Sequence, residues 1–167
     1  MADLILIRHA IALEREEWQQ SGSPDYLRPL SDRGIRKFKK SLAGLLELIP
    51  SIDLIYSSDF TRAKETAQLL GSAYDRPYIV KQELNHGEAP RSILEYLSSE
   101  LEPLGYKKLA IVGHEPELCI LLHLISGRAL EDVYFKKGGV AYLSQEHGKL
   151  ELKWMKRPKE LRAIETS

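Results

Sequence analysis

Two apolar runs of the sequence lead directly into a histidine. The run LILI at residues 4–7 is followed by Arg8 and His9, and the run LAIVG at residues 109–113 is followed by His114. A neutral imidazole is a nucleophile near physiological pH and can carry a phosphoryl group. A protonated imidazole stabilises negative charge on phosphoryl oxygens. Two histidines so placed are compatible with phosphoryl-transfer chemistry, with a structural role as the alternative for either one alone.

A third apolar run adds a second arginine to these groups. The run IDLIY at residues 52–56 is followed by SSDFTR, so that Arg62 falls in the first turn of the helix predicted next. Arginine presents a planar, permanently charged fork that suits phosphate oxygens, and Arg8 presents another beside His9. Together with the two histidines, these arginines predict a pocket that is selective for a small dianion.

The four groups can meet if the strands that carry them are neighbours in one sheet. Short strand-like runs alternate with longer helical patterns along the chain, which predicts an α/β domain. Ligands of such open sheets bind at the carboxyl ends of the strands. Strands are predicted at residues 4–7, 52–56, 78–80 and 108–112, and a closing antiparallel hairpin at residues 138–145 and 149–156.

Helices are predicted between these strands. Apolar residues recur at steps of three and four from Ser31 to Ile49, and Pro50 ends this pattern. Ser31 and Asp59 are the expected N-caps of the first two helices. Further helices are predicted at residues 59–74, 90–101 and from about residue 115, with a terminal helix or frayed tail over about residues 156–167.

The composition of the chain fits one soluble domain, which we predict over residues 1–167. Lys plus Arg and Asp plus Glu both total 24, and this balance argues against general binding to nucleic acid or an anionic membrane. The N-terminal apolar run is too short for a signal peptide, and no apolar run is long enough to span a bilayer. The single cysteine, Cys119, fits a reducing compartment. We therefore expect a cytoplasmic protein.

A metal site is the alternative interpretation of two paired histidines. The neighbouring arginines would repel a cation, and no carboxylate or thiolate accompanies both histidines at ligand-like positions. No GxxxxGK or GxGxxG motif occurs, so we expect neither a metal nor a nucleotide cofactor. Of the other histidines, His123 is interpreted as a core residue and His147 as part of a hairpin turn. His86 lies on a loop that could overhang the pocket and contact the substrate.

Three segments resemble the signature blocks of the histidine phosphatase superfamily, also called the phosphoglycerate-mutase-like fold. LILIRHA resembles the Arg-His-Gly/Ala block, YSSDFTRAKETA is similar to the SSxxxRAxxTA segment, and LAIVGHEP resembles the second histidine block. The blocks occur in family order and cover both halves of the chain. The resemblance implies a three-layer α/β/α sandwich with a mostly parallel central sheet.

The resemblance also implies a role for each residue of the predicted pocket. His9 matches the phosphorylated nucleophile, and His114 matches the second histidine of the phosphate pocket. Arg8 and Arg62 match the phosphate-binding arginines. The short chain, the alanine after His9 and the segment RPLSDRG look most like the small phosphohistidine phosphatase branch. Members of that branch remove phosphate from histidine in phosphotransfer proteins.

The sequence departs from the wider family pattern at the general acid. Mutase-type members place a glutamate within an NERxxG stretch, whereas the matching neighbourhood here is QELNHGEAP. Glu83 and Glu88 are the available candidates, but neither falls on the motif. An alkoxide leaving group needs a proton, whereas the nitrogen of a phosphoramidate can already be protonated. The unmatched acid therefore favours phosphohistidine over phosphate esters.

Three functions remain open from the sequence, and a metal-independent phosphatase leads. In it His9 attacks phosphorus, the arginines and His114 hold the oxygens, and water hydrolyses phospho-His9, with protein phosphohistidine as substrate. The second is a phosphatase or mutase that acts on a small phosphate ester such as a sugar phosphate. The third is a phosphate-binding module without turnover, which would need only the arginines. The expected partner is a phosphorylated protein of the histidine phosphotransfer type or a small phosphorylated metabolite.

Overall fold

One six-stranded sheet organises the fold. The structure is a computed structural model that describes residues 2–105 and 107–167. The strands are β1 (Asp3–Arg8), β2 (Leu54–Ser57), β3 (Tyr78–Val80), β4 (Lys108–Gly113), β5 (Val140–Glu146) and β6 (Lys149–Lys156). The helices are α1 (Arg15–Gln20), α2 (Asp32–Leu48), α3 (Thr61–Tyr74), α4 (Pro90–Leu101), α5 (Glu117–Ser126) and α6 (Pro158–Arg162).

The strand order brings the ends of β1 and β4 together. The order is β3-β2-β4-β1-β5-β6, and the first four of these strands are parallel. The hairpin of β5 and β6 is antiparallel and joins the sheet beside β1. In the central parallel pair, Arg8 lies opposite Gly113, so the residues that follow both strands emerge at the same edge.

Helices cover both faces of the sheet because the side chains of its strands alternate in direction. In β1, Ile5 and Ile7 pack in the core shared with α2, α3 and α6. Leu4 and Leu6 pack in the other core, which is shared with α4 and α5. The predicted three-layer α/β/α sandwich with a mostly parallel sheet is confirmed.

Of the two predicted helix N-caps, Ser31 is confirmed and Asp59 is wrong. Ser31 caps α2 as expected, since its hydroxyl accepts a hydrogen bond from the Gly34 N–H. The prediction that Asp59 caps the next helix is wrong, because α3 begins at Thr61 and Phe60 is its N-cap. Pairing along β2 continues beyond the strand, since the Ser58 N–H donates to the carbonyl of Val112. The chain is therefore still extended where the sequence indicated a helix start.

The remaining strands and α-helices lie close to their predicted positions, with the exception of α1. The hairpin and α4 lie where they were predicted, and α5 begins at residue 117, two residues later than expected. The C-terminal segment contains α6, whose Leu161 is buried against the core. Helix α1 was not predicted because none of its six residues is buried, so it shows no apolar periodicity. Within the described residues, no helix is both long and apolar enough to cross a membrane.

We predict that Gly44→Ala weakens the domain through the contact between α2 and α6. A Cβ at Gly44 would lie 1.9 Å from the carbonyl oxygen of Leu161, so one of the two helices must move. Overpacking of this kind costs about 1–3 kcal/mol, against about 1 kcal/mol that alanine gains over glycine within a helix. Urea denaturation should show one cooperative transition over residues 1–167 and a lower midpoint for the variant.

The matched control is Lys40→Ala, an exposed position on the same helix, which should leave the midpoint unchanged. An unchanged midpoint for Gly44→Ala would contradict the docking of α6 on α2. A second transition would contradict the single domain.

Candidate active site

All four predicted site residues line one cavity at the carboxyl end of the parallel strands. The cavity has a volume of about 260 Å³, and Arg8, His9, Arg62 and His114 all contribute to its wall. The backbone N–H of His9 donates a hydrogen bond to the carbonyl of Gly113, and this bond joins the ends of β1 and β4 directly. The ring centroids of His9 and His114 are 5.3 Å apart. The structure therefore brings together the groups that the sequence placed at separate strand ends.

His9 is held as a neutral imidazole, and among the described residues only its Nδ1 has a hydrogen-bond partner. Its Nδ1 lies 2.7 Å from the carbonyl oxygen of Ala10 and must donate to it, because a carbonyl oxygen only accepts. Burial lowers the pKa of His9 to about 3, and the positive charges of Arg62 and Arg8 add to this effect, against the opposing Ala10 hydrogen bond. The Nε2 atom therefore carries the lone pair, which is the state a nucleophile needs.

His114 is also neutral in the free protein. Burial, followed by repulsion from His9 and Arg62, lowers the pKa of His114 to about 2. Its Nε2 lies 2.7 Å from the hydroxyl oxygen of Ser58, and this oxygen also accepts a hydrogen bond from the N–H of Phe60. The Nδ1 of His114 is buried and has no hydrogen-bond partner within residues 2–105 and 107–167. A buried polar atom without a partner is costly, so a hydrogen bond at this nitrogen would be stabilising.

Asp25, which no sequence pattern indicated, forms ion pairs with two arginines of the cavity. The carboxylate of Asp25 lies 3.2 Å from Nη2 of Arg62 and 3.0 Å from Nε of Arg28. Partial burial raises the pKa of Asp25, but the charges of Arg62 and Arg28 outweigh it and the net shift is downward. Asp25 is therefore a carboxylate at neutral pH, and it orients both guanidinium groups.

Arg8 is fixed by the loop that precedes β5. Its Nη1 donates to the carbonyl of Phe135 at 2.7 Å and to the hydroxyl of Tyr134 at 3.0 Å. The guanidinium carbon also lies 5.6 Å from the centroid of the Tyr134 ring. Three further cations line the cavity, namely Arg15, Arg28 and Lys137. This concentration of positive charge in a chain of zero net charge suits an anionic ligand.

The glutamates considered from the sequence do not reach the cavity. Glu83 and Glu88 are both exposed, and neither contributes to the cavity wall. Glu14 and Glu115 do contribute to it. Both carboxyl oxygens of Glu115 are shielded from solvent, and burial raises the pKa of this group. Neither carboxyl group that the sequence offered as a candidate general acid therefore lies in the cavity wall.

His86, which the sequence placed on a loop that could overhang the pocket, lines the same cavity. Its ring centroid lies 5.5 Å from that of His114. Its Nδ1 lies 2.9 Å from Oε1 of Glu117, a residue of α5. The three histidines of the cavity thus stand side by side, with His114 between the other two.

The donor set of the cavity does not favour a metal ion. Among the described residues, no group of three or more His, Cys, Asp or Glu side chains is placed to hold one. The cavity wall instead contains five cationic side chains, those of Arg8, Arg15, Arg28, Arg62 and Lys137. Such a wall attracts an anion and repels a metal cation.

We predict that the two buried histidines make the protein sensitive to acid. In the unfolded chain they take up protons near pH 6.5, whereas in the folded chain they stay neutral down to about pH 3 and 2. The free energy of unfolding should therefore fall as the pH drops below 6.5, by up to about 1.4 kcal/mol per pH unit for each histidine. Urea denaturation at pH 7.5 and pH 5.0 measures this difference.

The comparison uses the double variant His9→Gln/His114→Gln, which lacks both groups. Between the two pH values, the wild type should lose up to about 4 kcal/mol more than the variant, and each single variant should recover about half of this. Equal losses in the wild type and the double variant would show that the two imidazoles are not held neutral by burial.

Known proteins resemble this chain in sequence and in fold. Residues 4–89 match the family model of the histidine phosphatase superfamily, branch 1. The chain is 30% identical over 142 residues to an uncharacterised protein of Picosynechococcus sp., an alignment that covers 83% of this chain and 82% of the relative.

Solved structures with a similar fold include two phosphatases. One is the protein histidine phosphatase SixA complexed with tungstate, with a TM-score of 0.79, 22% identity and coverage of 95% of this chain and 99% of the other. The second is a phosphoserine phosphatase variant from Entamoeba histolytica in complex with phosphoserine, with a TM-score of 0.74, 17% identity and coverage of 96% and 100%. Taken with the family model, these findings establish that the chain belongs to the histidine phosphatase superfamily.

Proposed function

We propose that this protein is a metal-independent phosphatase that works through a phosphohistidine intermediate at His9, and that its substrate is phosphohistidine on a protein. The observation that carries the proposal is the state of His9. Its ring is neutral, its Nδ1 is occupied by the carbonyl of Ala10, and it lies among arginines in an anion-binding cavity. Because the ring is neutral and Nδ1 carries its proton, Nε2 keeps the lone pair that attacks phosphorus.

In the proposed reaction, Arg8, Arg62 and His114 bind the oxygens of the phosphoryl group. The lone pair of His9 Nε2 attacks phosphorus, and the bond between phosphorus and the substrate nitrogen breaks as that nitrogen leaves with its proton. The negative charge of the bound phosphoryl group favours protonation of His114, which then donates a hydrogen bond to it. Water attacks phospho-His9 in the second half, and His9 is released as neutral imidazole.

The choice of phosphohistidine rests on the leaving group and on a structure of similar fold. Neither Glu83 nor Glu88 lines the cavity, and a phosphoramidate nitrogen needs less help from an acid than an alkoxide does. The similar SixA structure is named as a protein histidine phosphatase, which supports the same substrate here. A cytoplasmic location, where histidine phosphotransfer proteins work, is part of the proposal.

A small phosphate ester is the second candidate substrate. A phosphoserine phosphatase shares the fold over almost the whole chain, and its structure holds phosphoserine. A cavity of about 260 Å³ accommodates a group of this size. A phosphate-binding module without turnover is a weaker candidate, because the arginines alone would serve it and His9 would have no use.

We expect His9→Ala to lower kcat/KM by roughly 10³–10⁶-fold, since it removes the nucleophile. Far-UV circular dichroism and thermal melting should show an intact fold. The matched control is His147→Asn in the hairpin turn, where asparagine tolerates the positive φ of 49° and activity should be unchanged. Activity retained in His9→Ala would exclude the mechanism.

Substrate choice is tested with the wild-type protein on a phosphohistidine-bearing phosphotransfer protein, phosphoramidate and a panel of sugar phosphates. We expect the highest kcat/KM with the phosphohistidine protein and little effect of EDTA on any rate. A strong preference for one sugar phosphate would replace the protein substrate by a metabolite. Inactivation by EDTA, restored by a divalent cation, would contradict metal independence.

A further inference from the structure

His86 and Glu117 form a hydrogen-bonded pair at the edge of the cavity, and the proposed reaction makes no use of it. The Nδ1 of His86 lies 2.9 Å from Oε1 and 3.1 Å from Oε2 of Glu117. The Glu117 residue is only 6% exposed, although it carries a carboxyl group. Burying a carboxyl group is costly unless its oxygens take part in hydrogen bonds. The hydrogen bond to His86 therefore stabilises Glu117 in its buried position.

The same carboxylate fixes the loop that carries the imidazole. The N–H of Gly87 donates to Oε1 of Glu117 at 2.6 Å. On the other side, the side-chain oxygen of Asn85 accepts a hydrogen bond from the N–H of Asp59 at 2.7 Å. The loop is therefore tied to α5 and to the segment before α3, and the ring of His86 has a defined place beside His114.

The hydrogen bond to Glu117 sets which nitrogen of His86 is available. An ionised carboxylate only accepts hydrogen bonds, so Nδ1 of His86 carries a proton and Nε2 is the atom left to exchange one. The side chain of His86 is 36% exposed and the residue lines the cavity, whereas the Glu115 oxygens are shielded. To act as an acid, the ring must carry a second proton, on Nε2.

We propose that His86 is the proton donor to the leaving group and that the cavity therefore hydrolyses phosphate monoesters in addition to phosphohistidine. This inference rests on the proposed attack by His9. His86 would be a catalytic residue that touches the leaving oxygen, and Glu117 a positioning residue that acts through it. The pair would fill the place for which the sequence offered Glu83 and Glu88.

The proton balance of the ester reaction closes through His86. As Nε2 of His9 attacks, the bond between phosphorus and the ester oxygen breaks and its electron pair stays on that oxygen. The oxygen takes the Nε2 proton of His86 and leaves as an alcohol. In the second half, attacking water returns a proton to His86 Nε2. The bond between phosphorus and His9 Nε2 breaks, and inorganic phosphate departs.

The test compares substrates that differ in their need for a proton. Phosphoserine has a poor leaving group, whereas p-nitrophenyl phosphate and phosphoramidate have good ones. His86→Gln should lower kcat/KM for phosphoserine by about 10²–10⁴-fold, the usual size of a general-acid contribution. Its effect on the other two substrates should stay below about 3-fold, because their leaving groups depart with little protonation.

Matched variants separate the roles of the neighbouring groups. Glu117→Gln should reproduce the selective loss for phosphoserine at smaller size, and Glu117→Asp should restore part of it. Glu14→Gln, at the exposed carboxyl group of the cavity wall, tests the alternative proton donor and should not reproduce the phosphoserine-selective loss. A structural role of Glu117 would lower all three rates together and would not change their ratio.

Several results would overturn the inference. An equal loss for all three substrates in His86→Gln would show that the ring is structural, and a phosphoserine-selective loss in Glu14→Gln would assign the acid elsewhere. Wild-type turnover of phosphoramidate without any turnover of phosphoserine would refute ester hydrolysis and leave the proposed function standing. Absence of turnover with every substrate would refute the proposed function and this inference with it.

Discussion

The parallel pairing of β1 with β4 is the constraint on which the site depends. The register places Arg8 opposite Gly113, so that His9 and His114 leave the sheet side by side. The strands themselves are buried on both faces, which fixes their position before any ligand is present. The sheet therefore supplies preorganised geometry, and the loops supply the groups that respond to a ligand.

The electrostatic state of the cavity follows from the same burial. Two imidazoles lie among several arginines, and neutral imidazoles avoid adding to the positive charge there. The pKa values of His9 and His114 are accordingly lowered, while the carboxylate of Asp25 compensates Arg62 and Arg28. A phosphate dianion would reverse the balance, because its charge favours protonation of the imidazole that it contacts.

The elements with strong apolar periodicity could be predicted from the sequence, and they carry the four site residues. The apolar residues of α2, β1 and β4 indicate these elements directly in the sequence. The ends of β1 and β4 then give the positions of Arg8, His9 and His114. Arg62 followed from its place after β2, although the cap assigned to Asp59 was wrong, since strand pairing extends to Ser58.

The residues that were missed depend on contacts without a local signal. Asp25 lies in a short turn after α1, a helix without buried residues, and its partner Arg62 is distant in sequence. The role of His86 becomes visible only with Glu117, which lies 31 residues later in the chain. Apolar periodicity reports burial and not pairing between polar groups, so neither arrangement could be derived from the sequence pattern alone.

The central claim is that His9 carries the phosphoryl group. The most direct measurement is an alkaline quench of the wild-type protein during turnover of phosphoramidate, followed by mass spectrometry of its peptides. We predict one acid-labile phosphate on the peptide that contains His9, located on the His9 side chain. The phosphate should be absent from the His9→Gln variant. Phosphate on any other residue, or turnover without a phosphorylated protein, would contradict it.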